Sequence, residues 1–307
     1  MTFSAIVHFA TRWLCNLISL RSLGAFLSSF GALWLSVEIA TFFLADSKWP
    51  GAIREQWMLF GFIGIGVAVW MCKPKRTVAH KLNGRDVTIQ ISIGDMFTMP
   101  GALIIGSNTT FDTRISRELI AATSVQGIFT KRYYGDETQL DHELTTALEG
   151  HHFTELIGKR AGKNKRYDFG TCARLNPKAR TAYFVAIADI NEHGTAASNF
   201  DSLKESLSSL WVFIGTRGLK DSLVMPVLGT GFSRLSQTRE EIVRETIRSF
   251  IAACSERTFA DALTIVITPQ DAVKHHISLD ELGAFLSHEC LYANFSSNNR
   301  PAVGTPA

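Results

Sequence analysis

Residues 223–232 read LVMPVLGTGF, an apolar run that ends in a turn with two glycines. The apolar part has the length of one buried strand, and glycines allow backbone N–H groups to approach an anion closely. A helix that begins near Gln237 would add the positive end of its dipole to the same turn. The pattern is typical of a diphosphate-binding turn in an α/β domain, and a simple chain reversal has the same composition.

Strand-sized apolar runs alternate with helical stretches on both sides of this turn. The predicted strands are Val87–Ile93, Ala102–Ser107, Ala182–Asp189, Leu223–Leu228 and Leu263–Thr268. The predicted helices are Arg114–Ser124, Glu137–Glu149, Asn199–Gly215, Gln237–Ser255 and Asp271–Phe285. This alternation predicts an α/β domain over residues 79–293, with a sheet covered by helices. Within it, Gly158–Tyr167 is predicted to be a mobile basic loop, and residues 294–307 a disordered tail.

Polar residues follow the first two predicted strands. Asp95 comes directly after the first strand, and Asn108 directly after the second. Ligands of α/β sheets gather at the carboxyl ends of the strands, so both residues are candidate ligand contacts. A turn residue at Asp95 and a cap at Asn108 are the ordinary alternatives.

Two apolar segments precede this domain. As a helix, Leu23–Ala45 would reach about 34 Å, enough for a bilayer core, whereas Trp57–Cys72 is uncharged but slightly short. Basic residues lie before the first segment and after the second. The positive-inside rule then places both ends of the chain in the cytoplasm. Residues 23–78 are therefore predicted to form a two-span transmembrane region.

Residues 1–22 contain a further apolar stretch, interrupted by polar residues at every fourth position. This spacing predicts an interfacial helix that lies on the membrane surface. A simple extension of the first span is the alternative. A cleaved signal peptide would leave the second apolar segment unexplained.

Small residues recur along the first span, and Gly24, Gly31 and Glu38 follow one another at seven-residue steps. Small residues allow close helix approach in lipid, and a carboxylate in a span usually faces protein, water or a partner. The three residues are predicted to form a membrane seam in a homo-oligomer or to line a pore. Packing within the hairpin, or a protonated or snorkelling Glu38, explains them equally well.

Composition excludes several functions. The chain has 307 residues, is 46% hydrophobic and carries a net charge of +3. The basic excess lies beside the predicted spans, which indicates attraction to anionic lipid and no nucleic-acid binding. The five cysteines form no CxxC pair, and adjacent histidines at His151-His152 and His275-His276 are poorly placed as ligands. Reduced thiols and no metal site are predicted.

Taken together, the strand ends and the glycine turn resemble the macro domain, an ADP-ribose-binding α/β module with a mixed sheet. The resemblance covers about residues 87–268 and preserves the order Gly-Asp, strand and Asn, Gly-containing loop, and Pro-x-Leu-Gly-Thr-Gly turn. It implies that Asp95 accepts a hydrogen bond from the adenine amino group and that Asn108 faces the distal ribose. It further implies a first diphosphate loop that includes Gln126, Gly127, Ile128 and Phe129, and a second formed by Gly229, Thr230, Gly231 and Phe232. Phe232 would also cover the distal ribose, with a core aromatic as the alternative.

Further residues are candidate ligand contacts because cations can meet phosphates and aromatic rings can stack on a base. These are Lys131, Arg132, Tyr133 and Tyr134, for which a solvated basic surface with half-buried tyrosines is the alternative, and Arg234, which replaces a glycine of the family's second loop.

Catalysis is not predicted. Macro-domain hydrolases use a tightly packed glycine run to position water, and Ser107–Thr113 lacks that run. Two acid–base sets can be drawn, Asp112 with Arg114 and Asp189 with Glu192 and His193. Loop polarity explains both sets.

A two-span hairpin followed by a divergent macro domain resembles the membrane-macro effector of Thoeris antiphage systems. In that family a TIR-domain protein makes an ADP-ribose derivative, histidine-ADP-ribose in the membrane-macro type, and the macro domain receives it. The resemblance implies a multi-pass effector of the bacterial inner membrane that uses no cofactor, oligomerises, disrupts membrane lipid and causes abortive infection. The alternatives are a membrane-anchored ADP-ribose or ADP-ribosyl hydrolase and a sensor that recruits another protein to the membrane.

Overall fold

The computed structural model describes residues 20–43, 56–71, 75–116, 119–157, 159, 161–190, 196–197, 199–229 and 235–293. It divides into two compact units, Met1–Lys75 and Arg76–Ala307. The predictions for residues before Leu20, for Thr230–Arg234 and for the tail at 294–307 lie outside the described residues.

The first unit contains two apolar helices, α1 (Leu20–Phe43) and α2 (Trp57–Met71). Among the described helices, only α1 is long and apolar enough to cross a membrane, while α2 is apolar but shorter. Length and composition therefore support one spanning helix near the N-terminus.

The two apolar helices pack against each other in antiparallel directions. The rings of Trp34 and Phe60 meet edge-on with their centroids 6.3 Å apart, and Phe26 lies beside Gly64. A Cβ atom at Gly64 would come within 3.0 Å of the Phe26 ring, so the glycine permits this close approach.

The two glycines of the predicted seam do not face α2. No other atom lies within 4 Å of the Cβ position of Gly24 or of Gly31, and Glu38 is half-buried. The two glycines are therefore not used in packing against α2.

The second unit is built on strands that are mostly short. Their bounds are β1 (Thr77–Lys81), β2 (Thr88–Ile93), β3 (Ala102–Asn108), β4 (Phe153–Glu155), β5 (Lys165–Tyr167), β6 (Cys172–Leu175), β7 (Ala182–Ile190), β8 (Ala196–Ala197), β9 (Ser222–Pro226) and β10 (Ala262–Ile267). The main sheet has the order β1-β2-β10-β9-β3-β7-β6, and β8 pairs with β7. Strands β2, β10, β9, β3 and β7 run parallel, while β1 and β6 are antiparallel to their neighbours. The predicted mixed sheet is confirmed.

Helices cover this sheet. They are α3 (Val125–Tyr133), α4 (Glu137–Ala147), α5 (Phe200–Arg217), α6 (Arg239–Glu256), α7 (Pro269–Lys274) and α8 (Leu279–Leu291). Side chains alternate along a strand, so Ile104 joins one apolar core with Trp211 and Phe250, while Ile105 joins a second core with Phe129. The sheet thus separates two cores.

One predicted helix, Arg114–Ser124, is wrong. That stretch holds a bridge between Ile115 and Ile120 followed by a turn, and the helix begins only at Val125. The reason is local: the Ser124 side chain accepts a hydrogen bond from the backbone N–H of Gly127, which makes Ser124 the N-cap rather than the last helical residue.

Two other predictions need correction. The helix predicted over Asp271–Phe285 is two helices, α7 and α8, because His276 has a positive φ of 51° and Ser278 caps α8. The segment Gly158–Tyr167, predicted as a loop, contains β5, which pairs with β4 in a separate antiparallel hairpin.

Strand β1, which the apolar pattern missed, brings the chain into the sheet. Its neighbour β2 ends at Ile93, whose backbone N–H donates to the carbonyl of Arg76 at 2.8 Å. The second unit therefore begins beside the carboxyl end of β2.

Candidate functional site

Parallel strands bring several polar residues to one edge of the sheet. Because β2, β3, β7, β9 and β10 run in the same direction, their carboxyl ends share that edge. Asp95 follows β2, Asn108 ends β3, Asp189 lies near the end of β7 and Gly229 follows β9. We refer to this edge as the strand-end site. It is the position where open α/β sheets bind ligands.

Asp95 lies at this site as the N-cap of a short 3₁₀ helix, Met96–Thr98. One carboxylate oxygen accepts from the backbone N–H of Phe97 at 2.9 Å, and the other lies 3.4 Å from Nη1 of Arg132. The Arg132 guanidinium also stacks over the Phe97 ring at 5.4 Å. The structure therefore brings together two predicted site residues, Asp95 and Arg132, and leaves the carboxylate half exposed.

Arg180, which the sequence did not single out, fixes the segment after Asp95. Its guanidinium donates to the carbonyl oxygens of Phe97 at 3.1 Å, Gly101 at 2.9 Å and Met99, and to the Tyr133 hydroxyl at 2.8 Å. Bonds from a charged donor are stronger than neutral ones. Arg180 thereby ties the β2–β3 connection to the end of α3.

The first predicted diphosphate loop is the first turn of helix α3. Gln126, Gly127 and Phe129 are buried, whereas Ile128 is exposed. The Gln126 side chain donates to the Asp112 carbonyl at 2.7 Å, which holds the positive end of the helix at the strand-end site. A Cβ atom at Gly127 would lie 2.3 Å from the carbonyl oxygen of Ala121, so this position requires glycine.

The second predicted loop is only partly described. Gly229 is buried and has a φ of 69°, a conformation that favours glycine. Thr230, Gly231, Phe232 and Arg234 lie outside the described residues.

Asn108 is buried and held by its own loop. Its side-chain oxygen accepts from the backbone N–H of Asp112 at 3.0 Å. The Thr110 hydroxyl, which has one hydrogen, lies 3.2 Å from this oxygen and 2.6 Å from Oδ2 of Asp112. Its side-chain nitrogen donates to Oδ2 of Asp112 at 3.2 Å. These contacts fix the amide at the end of β3.

Asp112 belongs to a buried ion pair with Lys159. The Lys159 ammonium lies 2.7 Å from Oδ2 of Asp112, and the two side chains are 2% and 1% exposed. It also donates to the Thr110 hydroxyl and to the Lys163 carbonyl, both at 2.8 Å. Asp112 and Arg114 were both expected to be ordinary polar loop residues. Arg114 is exposed as expected, whereas Asp112 is buried in this ion pair. One feature of the sequence could have indicated this pair. Asp112 lies in a stretch that is otherwise compatible with burial, and a buried carboxylate requires a cation nearby.

The remaining predicted cations and aromatics are distributed differently. Tyr133 and Tyr134 pack beside Phe129 in the core, with ring centroids 4.9 and 5.9 Å from it. The Tyr134 hydroxyl donates to Glu143 at 2.6 Å, and burial together with this carboxylate raises the pKa of Tyr134. Lys131 is exposed. Of this group, Arg132 is the residue that reaches Asp95.

Asp189 is engaged by neighbouring side chains. It pairs with Arg166 at 2.6 Å and accepts from the Thr109 hydroxyl at 3.0 Å. Its predicted acid–base partners, Glu192 and His193, lie outside the described residues.

Three cysteines are buried in the second unit. Burial raises the pKa of the thiols of Cys172 and Cys254 to about 12 and that of Cys290 to about 11. These thiols therefore stay protonated near neutral pH. Cys15 and Cys72 lie outside the described residues. In the described part of the chain, no group of three or more His, Cys, Asp or Glu side chains could hold a metal ion.

The mixed sheet has helices on both faces and a polar strand-end site at its parallel edge, as expected for a macro domain. The family model described as the macro domain of Thoeris protein ThsA matches residues 89–268, more than half of the chain. The chain belongs to this Thoeris ThsA macro-domain family.

Comparison with individual proteins gives related results. Thoeris protein ThsA of Bacillus amyloliquefaciens (strain Y2) is 27% identical over 165 residues, which cover 51% of this chain and 52% of the relative. The chain thus spans about half the length of this curated relative.

Solved macrodomains are also similar to this chain. The Oceanobacillus iheyensis macrodomain with ADP has 13% identity and a TM-score of 0.46, and the match covers 71% of this chain and 97% of that one. The Trypanosoma brucei macrodomain in complex with ADP-ribose has 12% identity and a TM-score of 0.42, and the match covers 65% of this chain and 68% of that one.

Proposed function

We propose that this protein is an antiphage-defence effector that binds an ADP-ribose-derived signal through its macro domain and then oligomerises and disrupts the membrane. The observation that carries this proposal is membership of the Thoeris ThsA macro-domain family in a chain that also has an apolar helix of spanning length. The signal is histidine-ADP-ribose made by a TIR-domain partner, and the result is abortive infection.

The described residues offer suitable partners for each part of such a ligand. Asp95 presents a half-exposed carboxylate, which can accept a hydrogen bond from an adenine amino group. The N-terminal turn of α3 offers backbone N–H groups and the positive end of the helix dipole to a diphosphate, and the backbone at Gly229 can approach it closely. Asn108 lies at the end of β3, where the distal ribose would follow.

The membrane part of the proposal uses both apolar helices. Helix α1 crosses the bacterial inner membrane, and α2, packed against it, forms the second arm of a multi-pass hairpin with the N-terminus and the macro domain in the cytoplasm. Gly24 and Gly31 support oligomerisation, since their side of α1 is open and small residues allow close helix contact in lipid.

Binding proceeds without turnover in this proposal. Its support is the environment of Asp112, a carboxylate in contact with Asn108: Lys159 and Asn108 occupy Oδ2, and the backbone N–H of Lys163 occupies Oδ1. A general base needs an accessible acceptor oxygen for the proton that it removes. Hydrolysis of ADP-ribose is the competing activity that the experiment must detect.

The test uses the full-length protein in detergent micelles, titrated calorimetrically with ADP-ribose and with histidine-ADP-ribose. The ligand is then recovered and analysed by chromatography. Binding of the histidine conjugate with intact recovered ligand supports a signal receptor. Breakdown of the ligand would establish an enzyme instead, and binding of neither compound would overturn the site assignment.

A matched pair of glycine variants tests the position of the ligand. Gly229→Val places a β-branched residue at a buried positive φ in the strand-end site and should weaken binding at least about tenfold. Gly150→Val imposes similar backbone strain at a φ of 81°, in open space after α4, and should leave binding unchanged. Equal affinities for the two variants would contradict ligand binding at Gly229.

A further inference from the structure

We propose that Lys159 is a positioning residue that sets the selectivity of the site for the distal ribose of its ligand. It acts through Asp112 on Asn108, and it does not itself touch the ligand. Because ligand binding at this edge is the proposed function, the role of Lys159 depends on that function.

The Lys159 ammonium is fully committed within the protein. An ammonium group has three donors, and these match the three acceptors within 2.8 Å, on Asp112, Thr110 and Lys163. No donor is left for a phosphate or a hydroxyl of a ligand. Lys159 is therefore a structural partner of the loop after β3 rather than a ligand contact.

Burial of this ion pair is costly. Removing both charges from water carries a desolvation penalty that their attraction does not always offset, and apolar side chains at such positions often give equal stability. The pair does supply directional bonds that an apolar contact lacks, and this favours a role in fixing one conformation of the loop.

The bonds lead from Lys159 to Asn108. Oδ2 of Asp112 lies 2.7 Å from the Lys159 nitrogen and accepts from Asn108 at 3.2 Å. Oδ1 of Asp112 accepts from the backbone N–H of Lys163 at 2.6 Å, which prevents rotation of the carboxylate. A carboxylate held at both oxygens also fixes the Asn108 nitrogen that donates to it.

The orientation of the Asn108 amide determines what it can offer. Its oxygen already accepts from the backbone N–H of Asp112 and lies 3.2 Å from the Thr110 hydroxyl, and one hydrogen of its nitrogen is given to Asp112. The second hydrogen has no partner among the described residues and is the group that the amide can donate to a ligand. This N–H can donate to a hydroxyl oxygen, and a distal ribose provides hydroxyl groups.

Loss of the Lys159 charge would disturb this arrangement. Asp112 would become a buried carboxylate without its cation, a strongly unfavourable state that is relieved by loop rearrangement or protonation. Either response changes the hydrogen bonds that hold Asn108. Contacts to adenine at Asp95 lie elsewhere along the edge and would remain. The diphosphate turn of α3 would remain as well if the rearrangement is confined to the Asp112 side chain, because Gln126 contacts only the backbone carbonyl of that residue.

The experiment compares ADP-ribose with ADP, which lacks the distal ribose, as ligands of the full-length protein in detergent. For Lys159→Met we expect the affinity for ADP-ribose to fall about tenfold or more and the affinity for ADP to change less than about twofold. The control is Lys165→Met, which removes an exposed cation that stacks on Phe153 in the neighbouring hairpin. It should change neither affinity.

Several outcomes overturn the role of Lys159. An equal loss for ADP-ribose and ADP would show that the residue serves only stability, and no loss for either would show that it does not position Asn108. A wild-type protein that binds none of ADP, ADP-ribose and histidine-ADP-ribose would refute the proposed function itself and this role with it.

A second variant applies if Lys159→Met does not fold. The double variant Lys159→Met with Asp112→Asn removes both charges and leaves no unpaired buried carboxylate. The same two titrations are made, and the loss should again be confined to ADP-ribose. Wild-type affinity of the folded double variant for ADP-ribose would refute the role.

Discussion

Gly127 demonstrates how one missing methyl group shapes the strand-end site. Replacing glycine by alanine inside an exposed helix normally stabilises a protein by about 1 kcal/mol. At Gly127 the added Cβ would meet the Ala121 carbonyl at 2.3 Å and the Ala122 Cα at 3.0 Å, both backbone atoms. Gly127→Ala should therefore lower stability by about 1–3 kcal/mol and weaken ligand binding. Thermal unfolding and titration of the full-length protein measure the two effects.

The control for this prediction is another glycine within a helix. At Gly215 in α5, an added Cβ would meet the far end of the flexible Arg257 side chain at 3.2 Å. Gly215→Ala should leave stability unchanged or raise it. A rise in melting temperature for Gly127→Ala as well would mean that the turn before α3 adapts freely.

Individual site residues differed in how far the sequence could predict them. Asp95 and Asn108 were predictable as polar residues at strand ends, because the strand pattern alone places them at one edge. Lys159 was not, because it follows Asp112 by many residues and meets it only when the β4–β5 hairpin is in place. Sequence composition near Lys159 indicates solvent exposure, whereas the fold buries its side chain.

The prediction for the secondary-structure elements concerns Arg180, which connects the β2–β3 segment to α3. Arg180→Met would leave the carbonyls of Phe97, Met99 and Gly101 without their donor and should lower stability by about 2–4 kcal/mol. Binding should also weaken, since the segment that carries Asp95 loses its anchor. Chemical denaturation and titration provide the measurements.

Arg174→Met is the matched control. Arg174 lies on β6 and makes one exposed hydrogen bond, to the Arg217 carbonyl at 3.1 Å. Its loss should lower stability by less than about 1 kcal/mol. If Arg180→Met is no more destabilising than this control, the guanidinium does not hold the β2–β3 connection.

The central strands were predictable and the boundaries around them less so. Predicted Ala102–Ser107 is β3, and predicted Leu263–Thr268 is β10 within one residue at each end. Both are continuous apolar runs, as expected for parallel strands buried on two faces. Strands β1, β4 and β6 are short and lie outside the parallel core, so they lack such a run. The start of α3 depended on a cap, which apolar periodicity does not report.

The prediction at the scale of the whole molecule concerns Glu38 and the proposed role as a membrane effector. Glu38→Leu should leave affinity for histidine-ADP-ribose within about twofold of the wild type, since the residue lies in the first unit, and should change toxicity. Viability of cells that also express the proposed TIR-domain partner measures toxicity, and titration measures affinity.

Ile39→Leu, an exposed apolar exchange one position further along α1, is the control and should have no effect on either measurement. Unchanged toxicity in Glu38→Leu would remove Glu38 from the seam or pore.

The strand order also determines when a newly made chain can form its strand-end site. Strand β10 lies between β2 and β9, although among the described strands it is the last to be synthesised. Until Ile267 has left the ribosome, no strand joins the β1–β2 hairpin to β9 and β3. The strand ends that carry Asp95 and Asn108 then do not belong to one continuous sheet. A nascent or truncated chain that has placed its apolar helices in a membrane therefore has no complete receptor. For a protein proposed to damage its own cell, the receptor then becomes complete only after β10 has been made.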